Sequence, residues 1–226
     1  MNPGALRYAA AAAGALALIM VPFGLTDYGL HVLSLWAFAT VAAIGLNLTF
    51  GHAGQVSLGQ GAFVGIGAYT AALLTTRGWP FAAAYVVAFI ICFGLGWGVG
   101  YPALRVRRPY LPFLTLALGA GLGGAAGVLY AALLQYVDPN PFSLTMSVSL
   151  LLMVVVGGSG RLLGPFLGAA VAVVLPEGMR FAQNYYLFGY ALAAILLMAF
   201  CPTGLIGLGE RLLTLARPSA AVKAPP

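Results

Sequence analysis

Between Gly45 and Ala72 the sequence sets Asn47, His52, Gln55, Ser57 and Gln60 among glycines and apolar residues. Amides, a hydroxyl and an imidazole can donate and accept hydrogen bonds. They form no acid pair, Ser/His pair or metal cluster at a spacing suited to catalysis. Neither a catalytic residue nor a metal site is therefore expected, no cofactor is implied, and an intramembrane enzyme is disfavoured. Polar groups at membrane depth are expensive and normally turn toward a bundle interior or a wet cavity, the only places where unwound backbone is tolerated. Two readings stay open. The segment is either a break between two spans, with Asn47, Gln55, Ser57 and Gln60 along a permeation path, or an ordinary short cytoplasmic loop. A second glycine-rich stretch, GGSGRLLGP from Gly157 to Pro165, has the same ambiguity. Paired breaks in two halves of a chain are a pointer to a transport site.

The elements that hold these breaks follow from composition. The chain has 226 residues, 62% hydrophobic and 6% charged, with a mean hydropathy of +1.00. Its charged side chains are too few to cover a soluble domain of this size, and disorder is excluded by the same apolar content. Apolar runs extend over Tyr8 to Leu25, Leu30 to Phe50, Gly61 to Thr75, Phe81 to Ala103, Tyr110 to Gln135, Phe142 to Val156, Leu162 to Leu175 and Tyr186 to Phe200. The expected fold is an all-α polytopic membrane protein of about eight transmembrane or re-entrant helices. Residues 1–201 would form one membrane domain and 202–226 a cytoplasmic tail. The first run is read as an uncleaved span. The two runs around Arg161, at roughly 15 residues, are short for full crossings and open to a re-entrant reading.

The net charge of +6 serves topology rather than nucleic acid. With both termini cytoplasmic, Arg7, Arg105, Arg107, Arg108, Arg161, Arg211, Arg217 and Lys223 fall inside and only Arg77 and Arg180 outside, as the positive-inside rule requires. Cys92 and Cys201 lie in apolar runs and read as structural free thiols, and His31 as an interfacial residue.

Thirty-one glycines fall in the spans as well as in loops. Spacings of four at Gly61 and Gly65, Gly94 and Gly98, Gly96 and Gly100, Gly119 and Gly123, and Gly160, Gly164 and Gly168 would make smooth faces for close helix approach, the other reading being that glycine is simply commoner in membrane helices. The stretch Gly119 to Gly124 matches a dinucleotide fingerprint by letter, but no strand precedes it in this apolar run and the match is rejected.

Three segments, GLNLTFGHAGQVSLGQGAFVGIGAYTAALL, YPALRVRRPYLPFLTLALG and LLMVVVGGSGRLLGPFLGAAVAVVLPE, in this order, resemble the membrane permease subunits of branched-chain amino-acid ABC importers. The likeness covers most of Ala43 to Gly204. It implies a multi-pass protein of the bacterial inner membrane that passes a branched-chain or similar amide-like amino acid inward. Its implied partners are a second permease subunit, two cytoplasmic ATPase subunits and a periplasmic substrate-binding protein. The resemblance also implies a departure, because family members are longer at one place near Leu118 to Gly121. The absent piece would carry the cytoplasmic loop with a Glu-x-Ala-Ala pattern that docks on the ATPase. Arg105, Arg107, Arg108 and Arg161 remain as candidate cytoplasmic contacts, with topology determinants alone as the other reading. A permease-derived structural or vestigial protein without ATP-coupled transport is the alternative function. The fused run Tyr110 to Gln135 would be about 39 Å long as a straight helix, with a flexible point expected at Gly119 to Gly127.

Overall fold

A computed structural model of the chain describes residues 24–101, 111–178, 204, 205 and 207. Hydrocarbon offers the backbone no water, so an apolar chain must satisfy its N–H and C=O groups within each segment, and helices result. Six α-helices and no strand occur among the described residues. α1 spans Asp27–Asn47 and runs into a π-helical turn at Leu48–His52; α2 spans Gln60–Thr76, α3 Phe81–Gly100 and α4 Leu111–Leu134. A 3-10 turn at Asn140–Phe142 leads into α5, Leu144–Gly157, and α6 spans Gly164–Gly178.

These helices overlap the six expected spans from Leu30 to Leu175. The run Tyr186 to Phe200 and all but the last two residues of Tyr8 to Leu25 lie outside the described residues, as do Cys201, Arg105, Arg107, Arg108 and nearly all of the tail. Asp27–His52, Phe81–Gly100 and Phe113–Leu134 are long and apolar enough to cross a membrane. α5 and α6, with 14 and 15 residues, are shorter. At 1.5 Å per residue they reach only about 21–23 Å against a hydrocarbon core of roughly 30 Å.

The turns are set by residues that can take them. α2 stops where Gly78 adopts a φ of 81°, letting the N–H groups of Gly78 and Trp79 bend back to the carbonyls of Thr75 (3.0 Å) and Leu74 (3.1 Å). Pro80 then opens α3 with its carbonyl accepting from Ala83 and Ala84.

α4 is the hub, packed against α1, α2 and α3. Its glycines are used on all three sides. A side chain at Gly124 would meet the Cys92 sulfur of α3 at 2.5 Å, one at Gly127 would strike the Val64 carbonyl of α2, and one at Gly119 would sit 2.5 Å from the Gly45 carbonyl of α1. Close approach on several faces explains why the helix runs unbroken through the cluster where a flexible point was expected. The fingerprint-like stretch lies wholly inside α4.

α3 meets the bundle along one stripe, Ala84, Ala88, Cys92, Gly96 and Gly100, every one buried and spaced by four. Between them Val86, Ile90, Leu95, Trp97 and Val99 stand exposed.

Candidate functional site

The two glycine-rich breaks meet at one end of the bundle. Helices of alternating direction carry residues 48–59 and 158–163 to the same end, and Asn47 ties them together. Its side chain, only 3% exposed, donates from Nδ2 to the Arg161 carbonyl (3.1 Å) and accepts at Oδ1 from the Gly160 N–H (2.9 Å). The π-helical turn after Asn47 brings Gly51 onto the backbone of Gly160, so close that no side chain fits at Gly51. Gly158 and Gly160 hold φ values of 114° and 77°, conformations that side chains disfavour. Gly204, the first described residue of the tail region, rests on Gly158: a side chain there would meet its Cα at 2.5 Å.

Further local bonds hold the turn. The Asn47 carbonyl lies 3.3 Å from His52 Nδ1, the Thr49 hydroxyl donates to the Leu46 carbonyl (2.8 Å), and the Gln55 N–H donates to the Thr49 carbonyl (3.0 Å). Thr49 is buried with Asn47. Where membrane excludes water, such local hydrogen bonding keeps a broken segment tolerable.

Gln60 works at a different place. It is the first residue of α2, 1% exposed, and its Nε2 donates to the carbonyls of Ala42 (3.3 Å) and Gly119 (3.1 Å), joining α1, α2 and α4. The Gly61 N–H beside it donates to the Ser147 hydroxyl of α5 (2.9 Å). The four residues expected along a path thus divide: Asn47 and Gln60 are buried and engaged with backbone at two separate junctions, Ser57 is half-buried and Gln55 is exposed.

The glycine faces divide too. Gly61 lies against Ser143 and Ser147, and Gly65 against Phe142. Gly164 and Gly168 of α6 press on the backbone of α5 at Met153 and Gly157 and on Gly158 just beyond it. Gly94 and Gly98 have nothing within 4 Å among the described residues, and it is Gly96 and Gly100 that carry the α3 contact, against Ala120 and Phe113 of α4. Arg161 is half-buried in the junction, its carbonyl bound by Asn47.

Sequence reading missed Thr49, Ser147 and Trp36, whose Nε1 donates to the Phe166 carbonyl (3.1 Å) while its ring lies 4.5 Å from the Phe166 ring. A lone hydroxyl or indole in an apolar run carries no signal of the distant carbonyl or amide it will meet. Among the described residues no group of three His, Cys, Asp or Glu side chains could hold a metal. The junction offers amide and backbone hydrogen-bonding groups and closely apposed backbone, with the charged Arg161 half-buried among them.

Fold and junction together define a multi-pass helical membrane protein with paired interruptions tied across the bundle. The family described as branched-chain amino acid transport system / permease component matches residues 28–120 and 110–201, and the chain belongs to it. Among individual relatives it is similar to the high-affinity branched-chain amino acid transport system permease protein LivM of Escherichia coli (strain K12), with 34% identity over 99 residues. The LivM protein of Salmonella typhimurium is similar to the same extent. Each alignment takes in 43% of this chain and 23% of the relative, so the match spans about a quarter of the relatives' length. No solved structure matches the chain.

Proposed function

We propose that this chain is a permease subunit of an ABC importer and forms half of a translocation path for branched-chain or related amide-like amino acids. The observation that carries the reading is the family match from 28 to 201, which runs across both glycine-rich breaks. The protein would sit in a bacterial inner membrane with both termini cytoplasmic and about eight transmembrane or re-entrant helices. Residues 1–201 would be the membrane domain and 202–226 the tail. Its partners would be a second permease subunit, two cytoplasmic ATPase subunits that hydrolyse the ATP, and a periplasmic substrate-binding protein.

In this reading the junction of Asn47, Gly51, Gly160 and Arg161 closes the cytoplasmic end of the path. Gln55 and Ser57 line its mouth, and Gln60 holds the three helices behind it. Arg105, Arg107, Arg108 and Arg161 face the ATPase subunits. The test is co-expression with these partners, followed by purification and reconstitution. Co-purification and leucine uptake that needs both ATP and binding protein are expected. A well-folded chain that retains neither partner nor uptake would sink the reading.

A second reading, a permease-derived membrane protein that packs without transporting, is favoured by one feature. The two matched stretches overlap at 110–120, of which 111–120 lie in the single helix α4, where the likeness places the lost docking loop. Its mark would be normal assembly with the second permease subunit and no ATPase in the complex.

A further inference from the structure

At the end of the bundle away from the two breaks, a cavity of about 500 Å³ opens between the end of α2, the start of α3 and the end of α4. Its size falls in the range of small-molecule sites, roughly 300–1,000 Å³. Ala71, Ala72, Ala131, Ala132 and Val128 are among its lining residues and give it small apolar walls. Thr75 and Thr76 also line it, but their hydroxyl protons go to the carbonyls of Ala71 (2.8 Å) and Ala72 (2.9 Å) of their own helix, which leaves their methyls and lone pairs. Tyr69, Gln135 and Tyr136 complete the rim and bring the donors. Gln135 is the only residue other than glycine with a positive φ, 55°, among the described residues, and its backbone turn ends α4 at the cavity.

Among the described residues no charged side chain lines this space. A free amino acid brings both a carboxylate and an ammonium, and desolvating either without a partner costs several kcal/mol. Asp138 follows the lining residue Val137, and its two oxygens accept from Asn140. An uncharged chain suits the apolar walls better.

The surroundings point to the source of that chain. Trp79 (51% exposed), Phe81, Tyr69 and Tyr136 (72% exposed) stand out of the helices around this end. Aromatic side chains of this kind gather at the headgroup level of a bilayer. Arg77, next to the lining residue Thr76, is exposed at the same end. We propose that the cavity is a phospholipid site: one acyl chain lies along Ala72, Val128 and Ala132, the ester region meets the donors of Gln135 and Tyr136, and Arg77 pairs with the phosphate. This site stands apart from transport and does not rest on it.

The full chain in nanodiscs containing phosphatidylglycerol with a diazirine on one acyl chain, irradiated and mapped by mass spectrometry, tests the proposal. Adducts are expected to concentrate at 69–76 and 128–137. Ala132→Trp, which fills the cavity, should reduce them several-fold, and the helical circular dichroism of the variant shows that it has folded. Arg77→Gln, at an exposed position, should lower labelling by the anionic lipid about fivefold, the effect of one basic residue near an anionic surface. Adducts spread evenly over exposed apolar positions such as Ile90 and Val99 would overturn the site. So would labelling of 69–76 by photoreactive leucine in place of the lipid. Either result is read without any transport assay.

Discussion

α3 and α4 lie side by side, and the more apolar of the two is the less buried. Only 22% of the α3 window is buried within the bundle against 56% of the α4 window. In water this order would be perverse. In lipid it follows, because hydrocarbon solvates leucine as well as a protein interior does, and helices associate by packing of small residues and by hydrogen bonds. α4 gives small residues to its neighbours on several sides: Gly119, Gly121, Gly123, Gly124 and Gly127, with Ala117, Ala120, Ala125 and Ala126. α3 gives one stripe of them and turns Val86, Ile90, Leu95 and Val99 outward. Residue size, rather than hydropathy, separates the two helices.

The largest effect should come from adding size where α4 touches backbone. Gly127→Leu would force a side chain into the Val64 carbonyl of α2, and neither main chain can yield without parting the helices. A loss of about 3 kcal/mol or more is expected, at the upper end for overpacking. It would be read as a lowered unfolding midpoint in a denaturant titration of the detergent-solubilised chain. A wild-type midpoint would mean that α2 and α4 leave room for a side chain between them.

The polar ties should come next. Asn47→Ala leaves the Gly160 N–H and the Arg161 carbonyl without their partner in a buried junction, a cost of about 2 kcal/mol. Asn47→Asp keeps the acceptor for Gly160 and loses the donor to Arg161, so it should fall between wild type and alanine in the same titration. Gln60→Leu fills similar space and removes two donations to backbone carbonyls. About 1 kcal/mol is expected, since hydrogen bonds between membrane helices average less than that each. An order with Gln60→Leu more damaging than Asn47→Ala would make the three-helix junction, and not the paired breaks, the anchor of the fold.

How much of this the sequence disclosed depends on the range of the interaction. The helices were legible because each apolar run has to satisfy its own backbone in lipid, a demand met within the run. The two breaks were legible as well, because glycines and amides cluster there. That the breaks touch was not, since Asn47 reaches a partner 114 residues away and nothing in either segment names the other. In sequence Gln60 belongs with the loop beside it, yet it opens α2 and faces a carbonyl 59 residues further on. α1 begins at Asp27, ahead of the apolar run that starts at Leu30, because its first turn sits at an exposed end where polar residues are tolerated.

The glycines of α3 show the limit most sharply and carry the smallest expected effect. Gly94 and Gly98 form one pair spaced by four, and Gly96 and Gly100 form another two residues along, which is about 200° around the helix. Spacing alone scores both pairs alike, and only the position of α4 decides between them. Gly96 and Gly100 face α4, while Gly94 and Gly98 meet nothing within 4 Å among the described residues. Gly98→Leu should therefore leave the unfolding midpoint within about 0.5 kcal/mol of wild type, as expected for a surface position. Gly96→Leu should cost several times more, because the Cβ alone would already sit 2.6 Å from that of Ala120. Equal losses at Gly96 and Gly98 would mean that a further helix covers the outer face of α3. The size rule would then hold for both faces of that helix, and the contrast with α4 would disappear.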